Sequence, residues 1–366
     1  GCNLDQGTDE AELFDEFGGF KAIKFEATGR FRVARKDGEW WFVTPHGNGF
    51  FSHGMQGVSS TGTRDRNGDS PYLGNILARH GSVESWVEAS LERLNTAGQN
   101  TIGDFSETEH FEGRTPYVDG AFLGSGAPAI QGAPAGFRGA AVDFFDPAFE
   151  QGAREEAGKL RPCAEDPYCI GVFIGDEYPW ATSFLQAIPL FDAYQFLAPG
   201  APGKVALQDF LEERYESDVD AFNSAWETSF ESFDEIQKIN VVQPDPEQRP
   251  GLYEGVLGGS FDLLGLAEGD FTRIEGDPFS LWRNASAARN EDRFGFRGRV
   301  ARQFYEVADA ALDAISPDML NLCGRFLATT VTEEVLLAAA ENCDVLSINA
   351  FDLPPSTISG SPALGI

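Results

Sequence analysis

The sequence predicts an α/β protein in which parallel strands are joined by crossover helices, behind an antiparallel hairpin region at the N-terminus. Three observations carry this. From residue 83 to residue 349, short apolar segments alternate with segments of helical spacing. Residues 170–174 are wholly apolar, as expected of a strand buried on both faces of a parallel sheet. Residues 28–53, by contrast, are punctuated by Lys36-Asp37-Gly38 and by the turn-rich stretch 45–49, the mark of hairpins.

In order along the chain, residues 30–35 and 39–44 read as the two arms of a hairpin, whose Trp40-Trp41 pair must bury one face. Residues 50–54 read as the first parallel strand. A helix over 83–94 stops at Gly98 and leads into a second strand at 101–105; residues 116–118 form a weak third. A long Gly-, Ala- and Pro-rich loop covers 119–142, and a helix over 147–160 leads to the fourth strand at 170–174. Helices over 204–215 and 218–226 come next, then an irregular insertion at 241–276 and a helix over 299–315 ended by Ser316-Pro317. Strand five is expected at 319–323, a helix at 332–340 and strand six at 344–349.

Composition narrows the function classes. Fifty-eight acidic residues against 27 basic ones leave a net charge of −31, which repels nucleic acid and anionic membrane surfaces alike. Such a surface suits a salty medium, where screening blunts self-repulsion, and hints at a marine source. No apolar run reaches transmembrane length. Cys2 followed by an acidic stretch points to a lipoprotein whose signal peptide was removed before the cysteine, making the lipid at Cys2 the only expected membrane contact. A free terminal cysteine is the alternative. Cys163 and Cys169 are spaced to close a short loop in an exported protein, whereas Cys323 and Cys343 sit in apolar runs and read as buried small hydrophobes. With four histidines and no Cys/His cluster of zinc-site spacing, neither a metal nor another cofactor is expected.

The most informative stretch is Gly175-Asp176-Glu177, directly after the buried strand. A carboxylate at the C-terminal end of a parallel barrel strand stands where such enzymes keep their chemistry, and glycoside hydrolysis needs a carboxyl group as proton donor. Glu177 is read as a general acid/base; the alternative is a solvated loop acid.

Several separated pieces then resemble glycoside hydrolase family 50, the β-agarases, from about Arg30 to Asp352. They are the hairpin at 32–45, residues 50–54 and 100–104, Phe144-Phe145-Asp146-Pro147, the stretch 209–215 followed by 223–230, and 343–349. The resemblance implies a (β/α)8 (TIM) barrel, a retaining mechanism and the acid/base role of Glu177. Two departures stand out: Asp176 precedes Glu177 where the family usually has Asn, and Asp104-Phe105 stands where it commonly has Asn-Trp. The resemblance also puts the nucleophilic Glu after a seventh strand, so the nucleophile is expected beyond Ile366 and the barrel reads as truncated after strand six.

The resulting organisation is a flexible acidic tether at 1–18, an N-terminal β-hairpin segment at 19–48 and a barrel domain at 49–366 without strands seven and eight. The expected activity is cleavage of β-galactosidic linkages in agarose or a related red-algal galactan, by an exported, periplasmic, outer-membrane or secreted protein. The alternative is a catalytically impaired, galactan-binding surface lipoprotein. Asp104, Phe105, Asp176, Trp180, Arg325, Asn349 and Asp352, at or just past strand ends, are the candidate sugar-binding residues. For Trp180 and Phe105, stacking on a sugar and packing within the protein carry equal weight. Arg325 is expected to pair with a carboxylate. His53 is read as ending strand one and facing the same mouth, with a satisfied core histidine as the alternative.

Overall fold

The computed structural model describes residues 10–133, 139–181, 189–239, 287–327 and 331–350. They fall into two compact units: one built from the chain up to Phe122 with Glu156–Ile174 and Ala310–Cys323, the other from Leu123–Glu155, Gly175–Asp309 and the chain from Gly324 on.

In the first unit, order begins earlier than the expected tether allows. A short helix α1 (Glu10–Leu13) is followed by Phe14, which bridges to Phe20. Asp15 accepts hydrogen bonds from Thr44 Oγ1 at 2.6 Å and Asn48 Nδ2 at 2.5 Å, and Phe17 is 3% exposed. Phe14, Asp15 and Phe17 thus anchor the start of the hairpin region.

The hairpin region is a four-stranded antiparallel sheet of β1 (Phe20–Lys24), β2 (Arg32–Lys36), β3 (Glu39–Val43) and β4 (Asn48–Phe50), in the order β1-β4-β3-β2. Phe50 pairs across to Phe42 and so belongs to this sheet, not to a parallel strand. Its ring packs edge-on to Phe31 at 5.2 Å, and Phe17 meets Tyr168 at 4.7 Å. Trp40 remains on the outside, 69% exposed.

The parallel sheet of this unit runs β5 (Gly54–Met55), β6 (Thr101–Ile102), β7 (Tyr117–Gly120) and β8 (Cys169–Phe173), each beside the next. The last of these carries the buried run read from the sequence, and Val172 continues the pairing by bridging in parallel to Asn321. The crossover after β5 contains α2 (Pro71–His80) and α3 (Val83–Thr96), with Ser70 and Ser82 as N-caps. The first of these helices has no buried residue, although Tyr72, Leu73, Ile76 and Leu77 fall at helical spacing; the sequence reading did not include it. Further on come α4 (Pro147–Ala157), whose residues to Glu155 belong to the second unit, and α5 (Arg161–Glu165), and a disulfide joins Cys163 to Cys169 with Cα atoms 5.3 Å apart. Cys323 is buried and Cys343 half-buried, neither in a disulfide. Cys2 and the 241–276 insertion lie outside the described residues.

The second unit holds a three-stranded parallel sheet of β9 (Gly175–Asp176), β10 (Gly324–Leu327) and β11 (Ser347–Asn349), in the order β11-β10-β9. Its helices are α6 (Leu190–Tyr194), α7 (Pro202–Arg214), α8 (Val219–Trp226), α9 (Ala287–Asp313) and α10 (Glu333–Ala340). The long α9 begins twelve residues before the expected start at 299. Its first turns bury Arg289, Arg293 and Arg297, so the inward face is polar and breaks the apolar period. Those arginines are matched: Arg293 Nε donates to Asp192 at 2.9 Å with both side chains buried, and Arg297 pairs with Glu334.

Asp292 is the hub of this unit. Its buried carboxylate accepts from Arg214 Nε at 3.1 Å, Tyr215 Oη at 2.6 Å and Trp226 Nε1 at 2.7 Å. Trp226 stacks on Phe191 at 5.0 Å beneath it. One buried acceptor thus ties α7 and α8 to α9. Replacing it leaves three donors, one of them a buried indole, without a partner. Asp292→Ala is expected to destabilise the protein by about 3–5 kcal/mol, read as a lower urea midpoint with the slope of the transition unchanged.

Candidate active site

Glu177 comes directly after β9, and its backbone is bonded into the sheet: its N–H donates to the Arg325 carbonyl at 2.8 Å. It holds φ at +46°, a left-handed conformation that costs a residue with a Cβ roughly 1–3 kcal/mol and persists only where the surroundings enforce it. The parallel register sets Asp176 beside Arg325, and Leu327 beside Asn349. Asn349 Nδ2 then donates to Glu177 Oε1 at 3.0 Å and to Asp176 Oδ1 at 3.2 Å. The Arg325 guanidinium lies 3.3 Å from Asp176, their side chains only 7% and 14% exposed.

Of the residues singled out from the sequence, Asp176, Glu177, Arg325 and Asn349 therefore form one connected cluster across three adjacent strands, with Arg325 near the start of β10. Chemically, it holds one carboxylate by an amide donor next to a second one neutralised by an arginine. Among the described residues no group of three or more His, Cys, Asp and Glu side chains is arranged to hold a metal ion.

Trp180 takes the packing role. It is 3% exposed, with Tyr178 at 5.6 Å, Phe304 at 5.6 Å and Tyr305 at 5.8 Å from its ring. Sequence reading passed over Tyr178, whose hydroxyl closes on Gly124; a Cβ there would stand 1.7 Å from the oxygen, so only glycine fits. Burial pushes the Tyr178 phenol well up. The signal was present as an aromatic two residues past a strand end, but nothing in the sequence tells a wall of packed rings from a sugar platform.

Asp104 and Phe105 belong to the first unit, just after β6. Phe105 is 49% exposed and also left-handed, at φ +60°. Its N–H donates to Asp104 Oδ1 at 2.7 Å. A further carboxylate not foreseen is Asp119, at the corresponding level of β7, where burial first and then Asp104 and Glu109 raise its pKa. An acid near the end of the weak third strand was its only mark in the sequence.

His53 does not end the first parallel strand. It precedes β5, its N–H donating to Asn100 Oδ1 at 2.9 Å and its carbonyl accepting from Asn100 N at 2.8 Å, while Nδ1 lies 3.3 Å from the Gly98 carbonyl. The reason is the antiparallel pairing of Phe50, which delays the parallel strand by four residues. Asp352 lies outside the described residues.

The residues after β6 include one more carboxylate, Glu107, which gathers the loop after β5. It accepts from Ser59 Oγ at 2.8 Å, Ser60 N at 2.8 Å, Ser60 Oγ at 2.6 Å, Thr61 N at 3.1 Å and Thr61 Oγ1 at 2.5 Å. Burial works to raise its pKa, but the bonds from Ser60, Thr61 and Ser59 outweigh it and hold the group at about 2. A carboxyl with a folded pKa below its unfolded one stabilises the fold above the ordinary value and loses that contribution as pH falls. Wild-type stability is therefore expected to fall between about pH 4.5 and pH 2 by more than that of Glu107→Gln, which has no such proton to take up. Denaturant melts at pH 6, 4 and 2.5 measure the difference.

Comparison with known proteins adds what the chain is similar to. No family model matches the chain. In sequence it is 24% identical to β-agarase A of Vibrio sp. (strain JT0107) over 86% of its length, and 21% identical to β-agarase B of the same organism over 90%. It spans only 33% and 37% of those two proteins. Among solved structures, the agarase AgWH50C superimposes on 95% of the chain with a TM-score of 0.73 at 19% identity, covering 53% of that protein. An exo-β-agarase gives 0.72 over 95% of the chain and 54% of its own length, also at 19% identity, and PfGH50B gives 0.69 over 94% and 56%, again at 19% identity. The chain is thus similar in sequence to two β-agarases across most of its length, and it shares its fold with agarases of known structure.

Proposed function

We propose that this chain carries the acid/base half of a glycoside hydrolase that cleaves β-galactosidic linkages in agarose or a related galactan by a retaining mechanism. The observation that supports it best is Glu177 itself: a carboxylate directly past a parallel strand, in an enforced left-handed conformation, with Asn349 donating to one oxygen. In the first step Glu177 protonates the departing glycosidic oxygen; in the second it takes a proton from the incoming water. Asn349 orients the carboxyl group, and Arg325 pairs with Asp176 beside it. The retaining reaction needs a second carboxylate roughly 5–5.5 Å away, and the agarases similar to this chain extend well beyond the stretch matched. In this reading the two parallel sheets are parts of a (β/α)8 barrel, and Asp104 and Phe105 contact the sugar chain. The Cys163–Cys169 disulfide supports export to an oxidising compartment.

The test is reducing-sugar release from agarose by the whole protein. Glu177→Gln is expected to keep the fold and oligosaccharide binding while lowering turnover on agarose by about 10²–10⁴-fold. The loss should shrink on an aryl galactoside whose leaving group needs no proton, with azide partly restoring the second step. Wild-type protein that binds agaro-oligosaccharides and releases nothing from agarose would instead make it a binding protein. Near-normal turnover of Glu177→Gln on agarose would remove Glu177 from the mechanism.

A further inference from the structure

Phe105 presents a combination that a packing residue does not need. Its ring is half exposed, and its backbone is held in the left-handed region that phenylalanine avoids. Something fixes it there, and the hydrogen bonds say what. On the residue before it, the Asp104 carbonyl accepts from Gly57 N at 3.0 Å; on the residue after it, Ser106 Oγ accepts from Val58 N at 2.9 Å. Two residues on, Glu107 N donates to the Val58 carbonyl at 3.0 Å, and its carboxylate takes up the five donors of Ser59, Ser60 and Thr61. Thr61 passes the constraint along, since its carbonyl accepts from Ser70, the N-cap of α2. His110 Nε2 closes the far side at 3.4 Å. Every residue around Phe105 is thus tied to one loop, and that loop is tied to one carboxylate, while the ring stands out of the clasp.

We infer that Glu107 is a positioning residue for carbohydrate: by clasping residues 59–61 it locks the 103–107 turn so that Phe105 offers a fixed ring face to a galactose unit. The physical reason is preorganisation. An aromatic platform on a loose loop loses affinity when the loop must be ordered on binding, whereas a clasped one has been ordered in advance. The requirement for a carboxylate comes from the donor count, because two oxygens accepting from five N–H and O–H groups need the full lone-pair capacity of an ionised carboxyl group.

This rests on the reading that Phe105 contacts the sugar, and a double-mutant cycle separates the two. The affinity of the whole protein for agarohexaose is measured by calorimetry at pH 7, well below the melting temperature, for wild type, Phe105→Ala, Glu107→Ala and the double variant. Phe105→Ala is expected to weaken binding about ten-fold, the scale of one aromatic contact. Glu107→Ala should weaken it nearly as much, although it touches no sugar, and the double variant should be no weaker than Phe105→Ala alone. Glu107→Gln, which keeps one acceptor oxygen, should recover part of the loss, and it carries the comparison if the alanine variant fails to fold. Wild-type affinity in Glu107→Ala or Glu107→Gln at a lowered melting temperature would make the clasp purely structural and overturn the inference. So would losses that add in full in the double variant. Wild-type affinity in Phe105→Ala would remove the platform itself, leaving the role of Glu177, judged on turnover, unaffected.

Discussion

The candidate site depends on one constraint, the parallel ladder that sets β9, β10 and β11 side by side in fixed register. Gly175 pairs with Gly324 and Asp176 with Arg325, and on the other edge Arg325 pairs with Ser347 and Leu327 with Asn349. Side chains alternate faces along a strand, so slipping any of the three by one residue would send its polar group to the opposite face. Asp176 and Arg325 would then be buried singly, and an unpaired charge in a low-dielectric site costs far more than a paired one. The charges thus penalise a one-residue slip of any of the three strands. Asn349 completes the cluster only because the same ladder carries it to the level of both carboxylates.

A second constraint is local. Glu177, Phe105 and Cys323 all hold positive φ, and each lies at the edge of a short parallel strand. At Cys323 the next residue opens β10, and its own N–H is held by Asn321 Oδ1 at 3.0 Å. At Glu177 the left-handed residue follows the strand at once, at Phe105 it comes three residues after β6, and at Cys323 it stands directly before β10. That strain is tolerated because flanking hydrogen bonds over-determine the conformation, from Arg325 at Glu177 and from the Glu107 clasp around Phe105.

These constraints explain what was legible in the sequence. The buried strand before Glu177 could be read because both of its faces are covered, leaving an unbroken apolar run. Asp176 and Asn349 do end their strands, whereas Arg325, read as lying just past a strand at 319–323, falls inside β10, which begins at Gly324. Three elements escaped for definite reasons. The helix Pro71–His80 has only a short stripe of Tyr72, Leu73, Ile76 and Leu77, interrupted by Gly74 and none of it buried. The first third of α9 buries arginines, which a hydrophobic period takes for surface. Phe50 sits in an apolar run that fits either sheet, and only its pairing with Phe42 decides, which in turn misplaced His53. The Glu107 clasp escaped because a Glu and a Ser-Ser-Thr stretch nearly fifty residues apart carry no periodic signal. Trp180 illustrates another limit: stacking on a sugar and packing were equally open from the sequence, and only the rings around it decide for packing.

The resemblance to the agarases divides in the same way. Arg214, Tyr215 and Trp226, which lie in or beside the stretches that carry it, converge on Asp292 and build the scaffold of the second unit. The departures from the family's usual pattern fall instead on Asp176 and Asp104. At Asp176 the consequence can be argued through. An asparagine there would supply its own donor, whereas an ionised aspartate only accepts, so every donor must come from its neighbours. They are present: Asn349 Nδ2 and the Arg325 guanidinium both face Asp176 Oδ1. The arginine also supplies the positive charge that an aspartate requires and an asparagine would not. At position 176 the aspartate is therefore matched by a positive partner one strand away: the Asp176–Arg325 pair sums to zero, where an asparagine would leave the arginine's charge unbalanced.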